Sequence, residues 1–251
     1  MDSQASSPLR PVLVPQPVDP GMVRGRRRSP LVLVVHGRTG GLIPDALQTL
    51  AEALQQRRGA PVLLQALTAP EPEVAPAFWL AAREAGGFSL VPLLLLPGGH
   101  VRIDVPALAA IWRAAARAPG AGPIPLRRFP FLGAWPAWQR LLAAELTRRA
   151  GGLPWHWLHH PLEGPLARRY LDYLAAVLGG QGLAAPYTGH LDDQGLWIQG
   201  ASLVVPLTLA ANRLTESLAL ATASQGLMVL PPLLELPSVR QFLIASLEAL
   251  P

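Results

Sequence analysis

Short, continuous apolar runs alternate with amphipathic segments of helical period along most of this chain. The runs at residues 31–35, 61–68, 90–96 and 124–129 have the length and composition of strands that are covered on both faces. The segments at residues 44–58, 73–85, 105–118 and 135–149 carry apolar side chains on one helical face. This alternation predicts an α/β fold, in which a mainly parallel sheet is flanked by helices.

The pattern partly repeats after a break at Gly151 and Gly152. A strand-like run at residues 155–159, a helical segment at 166–178 and a second run at 202–209 follow in the same order, and residues 227–250 resemble residues 124–146. We interpret the repeat as a duplication that gives two tandem flavodoxin-like halves, at residues 29–150 and 151–251. The second strand of the second half cannot be placed between residues 183 and 200, where one helix could be missing.

Composition excludes several classes of site. The chain has no cysteine, which removes disulfides, thiolate metal sites and iron–sulfur clusters.

All 21 basic residues are arginine, and five of them lie in residues 1–28, a proline-rich segment that we predict to be a disordered leader. The remaining charge is nearly balanced, so nucleic acid is not an expected partner. No apolar run has the length of a membrane span, so we expect no membrane partner and a cytoplasmic location.

Two histidines follow strands that are expected to be neighbours. His36 comes directly after the first strand, and His100 follows the third strand after Gly98 and Gly99. In a flavodoxin-like strand order these two strands flank the crevice where ligands bind, so both side chains would face one cleft. Neutral imidazole binds Co(II), Fe(II), Ni(II) and Zn(II), and it also accepts protons near neutral pH. The alternative is that each histidine is a hydrogen-bonded loop residue.

The second half keeps only part of this pattern. His159 and His160 occupy the position that corresponds to His36, whereas Asn212 stands where His100 would be. The paired site is therefore expected only in the first half, and no special role is predicted for His156 or His190.

At these residues the sequence resembles the sirohydrochlorin chelatase family of the CbiX and SirB type, which belongs to the class II chelatases. The resemblance rests on the segments 34–37 and 94–106, the second of which contains Gly98-Gly99-His100-Val101-Arg102. It implies ATP-independent insertion of Fe, Co or Ni, as substrate, into a sirohydrochlorin-type tetrapyrrole, a lyase reaction of siroheme or cobalamin synthesis. It also implies that His36 and His100 serve as metal ligand and proton acceptor, with no permanently bound cofactor.

Other residues near the two motifs fit a substrate that carries many carboxylates. Arg38 and Arg102 are candidates for carboxylate contacts, although each could also be a solvated surface arginine. Gly98 and Gly99 would let a bulky ligand approach the backbone closely. Asp104 precedes Pro106 at a helix start, so we expect it to cap or orient that helix.

The chain also departs from the family pattern. A family glutamate near the end of the second strand falls on Ala66 or on Thr68, neither of which is a carboxylate, although Glu71 or Glu73 could substitute for it. The first motif has Val35 and Arg38 where the family has glycine and serine.

Two other functions therefore stay open. One is a non-catalytic tetrapyrrole- or metal-binding protein on the same fold, and the other is an interaction protein that uses the arginines of residues 24–28. No serine-hydrolase elbow or lysine-containing phosphate loop occurs. Two halves in one chain could replace a dimer of single-domain subunits, which is compatible with a monomer.

Overall fold

The first half of the chain forms a four-stranded parallel sheet, as a computed structural model shows. The structure describes residues 28–69, 74–117, 122–184, 202–222 and 228–251. The strands of this sheet are β1 (Leu31–Val35), β2 (Val62–Ala66), β3 (Phe88–Pro92) and β4 (Leu126–Arg128). They lie in the order β2-β1-β3-β4, and every neighbouring pair is parallel. The predicted class and the adjacency of the first and third strands are confirmed.

Helices cover both faces of this sheet. They are α1 (Asp45–Arg58), α2 (Pro76–Ala85), α3 (Val105–Ala115) and α4 (Pro136–Ala150). Helices α2 and α3 pack Phe78 and Trp112 against one face, in a core that belongs to the first half alone. Helices α1 and α4 pack Leu50 and Leu142 against the other face, in a core that continues into the second half.

The second half repeats the arrangement. Its elements are β5 (Trp155–His159), α5 (Pro165–Leu178), β6 (Gln181–Ala184), β7 (Leu203–Pro206), α6 (Arg213–Thr222), β8 (Met228–Val229) and α7 (Pro237–Glu248). The strand order β6-β5-β7-β8 matches that of the first sheet, which confirms two tandem halves. Strand β6 is the one that the sequence left unplaced. The segment in which one helix was expected to be missing, at residues 185–201, lies outside the described residues.

Pro92 is tolerated in β3 although this strand is not at an edge of the sheet. Strand β3 lies in the middle of the sheet, and Pro92 is its last residue, opposite Val34 of β1. Strand β4 ends at Arg128, opposite Leu90, so no β4 residue faces the missing N–H of Pro92. Pro206 is likewise the last residue of β7, opposite Leu158 of β5. Both halves of the repeated fold therefore accept proline at the end of this strand.

The two halves share an apolar core and a buried arginine. Helix α4 contacts α5, and α1 contacts α7. Arg58, at the end of α1, is 5% exposed. Its guanidinium donates to the carbonyl oxygens of Leu247 and Leu250, at 2.8 and 2.9 Å, and to that of Ser29 at 2.7 Å. Arg58 therefore satisfies the end of the last helix and joins it to the residues before β1.

Other features of the chain bear on earlier expectations. The predicted leader, residues 1–28, lies outside the described residues except for Arg28, which pairs with Glu248 at 3.4 Å. Within the described segments, every helix is too short or too polar to cross a lipid bilayer.

We expect Arg58→Ala to lower the free energy of unfolding by about 2–4 kcal/mol, because it leaves one buried and several partly buried carbonyl oxygens without their charged donor. Arg57→Ala is the matched control, since Arg57 is 57% exposed and its ion pair with Glu248 spans 3.7 Å. That variant should lose less than about 1 kcal/mol. Urea unfolding of both variants measures the difference, and equal losses would contradict the role given to Arg58.

Candidate functional site

The carboxyl ends of β1 and β3 bring His36 and His100 together. The two rings lie edge to face, with centroids 4.6 Å apart and planes at 86°. Both side chains are exposed. Because β1 and β3 are parallel neighbours, the loops that follow them leave the sheet at the same edge, which is where ligands bind in such folds.

Each of the two imidazoles has its Nδ1 atom engaged. His36 Nδ1 donates to the carbonyl oxygen of Gly37 at 2.8 Å, and His100 Nδ1 donates to Oδ2 of Asp104 at 2.6 Å. Carbonyl and carboxylate oxygens only accept hydrogen bonds, so the Nδ1 atoms carry the hydrogen in the neutral rings. The lone pair of each ring is then on Nε2, where it can bind a cation or accept a proton.

Asp104 has a role that the sequence did not predict. It precedes α3, but its side chain makes no capping hydrogen bond to that helix. Residues His100–Asp104 form a π-helical turn, closed by a hydrogen bond from the Val105 N–H to the His100 carbonyl. This turn sets the two side chains against each other, so Asp104 orients His100 instead of capping the helix. The signal in the sequence was the spacing of four residues between His100 and Asp104 at the start of a helix, which places the two side chains on the same face.

Gly37 is required by both conformation and space. Its φ of +74° lies in the left-handed region, which favours glycine. A Cβ atom at this position would lie 2.6 Å from the Cβ of Ala66 and 2.8 Å from Oγ1 of Thr68. The chain after β1 therefore passes tightly over the end of β2, and this path places His36 beside His100.

The two positions that could correspond to the family glutamate lie close to this loop. Ala66 is buried at the end of β2, opposite Val35. Thr68 is exposed, and its hydroxyl donates to the carbonyl oxygen of Arg38 at 2.9 Å. The alternative carboxylates, Glu71 and Glu73, lie outside the described residues.

The second half closes one side of the site. Arg38 donates to Oε1 of Glu216 in α6 at 2.6 Å and to the carbonyl oxygen of Ala211 at 3.3 Å. A Cβ atom on Gly98 would lie 3.1 Å from Cδ2 of Leu162. The loops after β1 and β3 thus face the loops after β5 and β7.

The remaining predicted residues lie around the same loops. Arg102 is exposed, and its Nη1 would lie 3.9 Å from a Cβ atom on Gly164. Gly99 is exposed, and a Cβ atom there would meet no other atom within 4 Å. The structure therefore places Arg38, Gly98 and Arg102 against loops of the second half, although Arg38 contacts a carboxylate of the chain itself.

The second half retains one hydrogen bond of this arrangement. His159 Nδ1 donates to the carbonyl oxygen of His160 at 2.7 Å, as His36 does to Gly37. His159 is 5% exposed, and this burial lowers its pKa below the ordinary value. Burial, together with the charges of His36 and His159, also lowers the pKa of His160. Burial thus disfavours the charged form of both rings.

The residue that corresponds to His100 in the second half, Asn212, caps a helix. Asn212 Oδ1 accepts the N–H of Thr215 at 3.2 Å, and Thr215 Oγ1 accepts the N–H of Asn212 at 2.9 Å. This reciprocal pair caps the start of α6. His156 lies in β5, and His190 is outside the described residues. Within the described segments, no three histidine or carboxylate side chains are grouped so that they could hold a metal ion.

Comparison with known proteins gives a family match and a similar structure. Residues 30–149 match the model of the CbiX family. The crystal structure of the sirohydrochlorin chelatase SirB from Bacillus subtilis subspecies spizizenii, in complex with cobalt, is similar with a TM-score of 0.54. The two sequences are 18% identical, and the match covers 85% of this chain and 92% of that chain. No curated protein sequence matches significantly. At this identity the structural match shows a shared fold.

We expect Gly37→Ala to be more destabilising than Gly40→Ala by about 1–3 kcal/mol, because only the first substitution places a methyl group against packed atoms. Both glycines have positive φ, at 74° and 78°, but a Cβ atom on Gly40 would meet nothing within 4 Å. The conformational cost therefore cancels in the comparison. Thermal and urea unfolding measure it, and equal destabilisation would show that the loop has room to move.

Proposed function

We propose that this chain, whose residues 30–149 belong to the CbiX family, inserts a divalent metal ion into a sirohydrochlorin-type tetrapyrrole. The observation that carries the proposal is the pair of imidazoles 4.6 Å apart at the ends of β1 and β3. With both Nδ1 atoms hydrogen-bonded, two Nε2 lone pairs remain for chemistry. The metal is the substrate, and Fe(II) or Co(II) is the expected ion.

Metal insertion needs a ligand and a base at the same place. The cation must be held near the macrocycle while the pyrrole N–H groups lose their protons. A single Nε2 lone pair cannot bind the cation and a proton together, so two histidines allow the tasks to be divided. We assign proton acceptance to His100, because the Asp104 carboxylate that accepts its Nδ1–H would stay hydrogen-bonded to the ring when Nε2 takes up a proton. His36, hydrogen-bonded to a neutral carbonyl, is assigned to the metal.

The small number of protein ligands fits a cation that is passed on. In the part of the chain that the structure describes, the histidine pair is not joined by further residues into a closed metal site. Open coordination positions are needed if the tetrapyrrole nitrogens are to replace the protein as ligands. A closed set of four ligands would retain the ion.

Exposed apolar side chains next to the site fit the flat face of a tetrapyrrole. Leu42, in the loop after β1, is 67% exposed, Ile103 beside His100 is 64% exposed, and Leu166 at the start of α5 is 60% exposed. Apolar side chains that stay exposed beside a site are typical of ligand-binding surfaces. Arg102 lies between Ile103 and the loop of Gly164, where it can reach a peripheral carboxylate.

The absence of the family glutamate favours the second candidate function, a tetrapyrrole- or metal-binding protein that does not catalyse. Ala66 is buried and Thr68 offers only a hydroxyl group, which already donates to the Arg38 carbonyl. If a carboxylate is needed to deliver the cation, this chain would bind its ligands without joining them. The lyase activity, the place in siroheme or cobalamin synthesis, the cytoplasmic location and the monomeric state remain predictions.

The first test is anaerobic absorbance of sirohydrochlorin with Co(II) or Fe(II), with and without the protein. We expect the native chain to accelerate the spectral change of metal insertion. His36→Ala and His100→Ala should each lower the rate at least about 100-fold, because each removes a ligand or a base. His156→Ala, in β5, is the control and should retain the rate.

Each other outcome decides against part of the proposal. Tight binding of the pigment without acceleration by either metal would establish the binding-protein alternative. Acceleration that survives both histidine substitutions would show a chelatase that uses other residues. Absence of binding would leave only the fold.

We expect Leu166→Ser to weaken tetrapyrrole binding about threefold to tenfold, because it removes part of the apolar surface that the macrocycle would cover. Leu80→Ser is the matched control, since Leu80 is also 60% exposed but lies in α2, which packs on the sheet face that the second half does not share. Absorbance or fluorescence titration measures both dissociation constants. Equal effects of the two substitutions would exclude an apolar contact at Leu166.

A further inference from the structure

One ion pair at the site joins the two halves of the chain. Arg38 follows His36 by two residues, and its Nη2 lies 2.6 Å from Oε1 of Glu216, in the first turn of α6. The same nitrogen lies 3.3 Å from the carbonyl oxygen of Ala211. An arginine beside the proposed site is thus already bound to carboxylate and carbonyl oxygens of the second half.

Both partners of this ion pair are held by their backbones. The Arg38 N–H donates to the carbonyl oxygen of Leu42 at 2.7 Å, and the Arg38 carbonyl accepts the hydroxyl of Thr68. On the other side, the Glu216 N–H donates to the carbonyl oxygen of Asn212 at 3.0 Å, at the capped start of α6. The backbones on both sides of the short ion pair are therefore fixed by the fold.

The ion pair is also open to exchange. The side chain of Arg38 is 44% exposed and that of Glu216 is 55% exposed. Exposed ion pairs contribute little to stability, because water and other charges can replace either partner. A carboxylate of a bound ligand can therefore take the place of Glu216 without the cost of opening a buried contact.

We propose that Glu216 competes with the substrate's peripheral carboxylate for Arg38. This inference rests on the proposed function and identifies a specificity-determining residue in the second half. A polycarboxylate tetrapyrrole releases Glu216 and takes over the guanidinium, so the internal carboxylate weakens its binding and aids release of the metallated product. Glu216 acts through Arg38 and is a positioning residue that does not touch the reacting atoms.

The test is a double-mutant cycle with uroporphyrin I, a stable octacarboxylate porphyrin, as the probe. Dissociation constants are measured by fluorescence titration for the full-length native chain, Glu216→Gln, Arg38→Ala and the double variant. We expect Glu216→Gln to bind about twofold to fivefold more tightly, the range that corresponds to an exposed ion pair. Arg38→Ala should bind more weakly, and Glu216→Gln should have no further effect in its background.

Glu163→Gln controls for the general effect of removing a negative charge. Glu163 is exposed in the loop after β5, next to Gly164, and is separate from the Arg38 ion pair. Tighter binding by Glu216→Gln that exceeds the Glu163→Gln effect and depends on Arg38 supports the proposal. An equal effect in both variants, or one that persists without Arg38, overturns it while leaving the proposed function intact. Failure of the native chain to bind the porphyrin overturns this proposal, whereas the sirohydrochlorin assay tests the proposed function separately.

A kinetic measurement separates this role from a structural one. In the metal-insertion assay, Glu216→Gln should lower KM by a similar factor and leave the chemical step unchanged in a single turnover. A loss of the single-turnover rate in Glu216→Gln would show that the ion pair maintains the site and does not compete with substrate.

Discussion

The parallel pairing of β1 and β3 is the constraint on which the site depends. Val34 lies opposite Pro92, and the Leu93 N–H donates to the Val34 carbonyl at 2.8 Å, so the two chains leave the sheet together. His36 is two residues beyond this contact, and His100 returns to it on the π-helical turn before α3. Any other strand between β1 and β3 would separate the rings by about 5 Å more. The second sheet repeats the contact, since Leu207 N–H donates to the Leu158 carbonyl at 2.8 Å.

The parts of this structure that could be predicted are those with local signals. Apolar runs indicated most of the strands, and the adjacency of β1 and β3 then placed the two histidines together. Strand β6 was missed because Gln181–Ala184 contains a glycine and is exposed at both ends, so it has no apolar run. The partner of Arg38 was also out of reach, because Glu216 is 178 residues away and meets it only when the halves pack. The role of Asp104 was ambiguous, because a residue directly before a helix can either cap that helix or bind the histidine four residues earlier.

The two halves show how one scaffold can carry a site or support one. At the end of β1 the histidine is exposed, whereas at the end of β5 the equivalent His159 keeps its hydrogen bond but is buried. Burial lowers the pKa of His159 and removes access to ligands, so the ring serves packing. Asn212, at the position that corresponds to His100, caps helix α6. The loops of this half instead pack against the loops that carry His36 and His100.

The connections between the halves differ at the two ends of the sheets. At the amino end of β1, buried Arg58 binds the carbonyl oxygens of the last helix and of Ser29, and the shared core lies beside it. At the carboxyl end, the exposed ion pair of Arg38 and Glu216 joins the two halves. Breaking the first connection leaves buried and partly buried carbonyl oxygens unpaired, whereas water or another charge can replace a partner in the second. The exposed ion pair at the carboxyl end can therefore open while the core that aligns β1 with β3 stays intact.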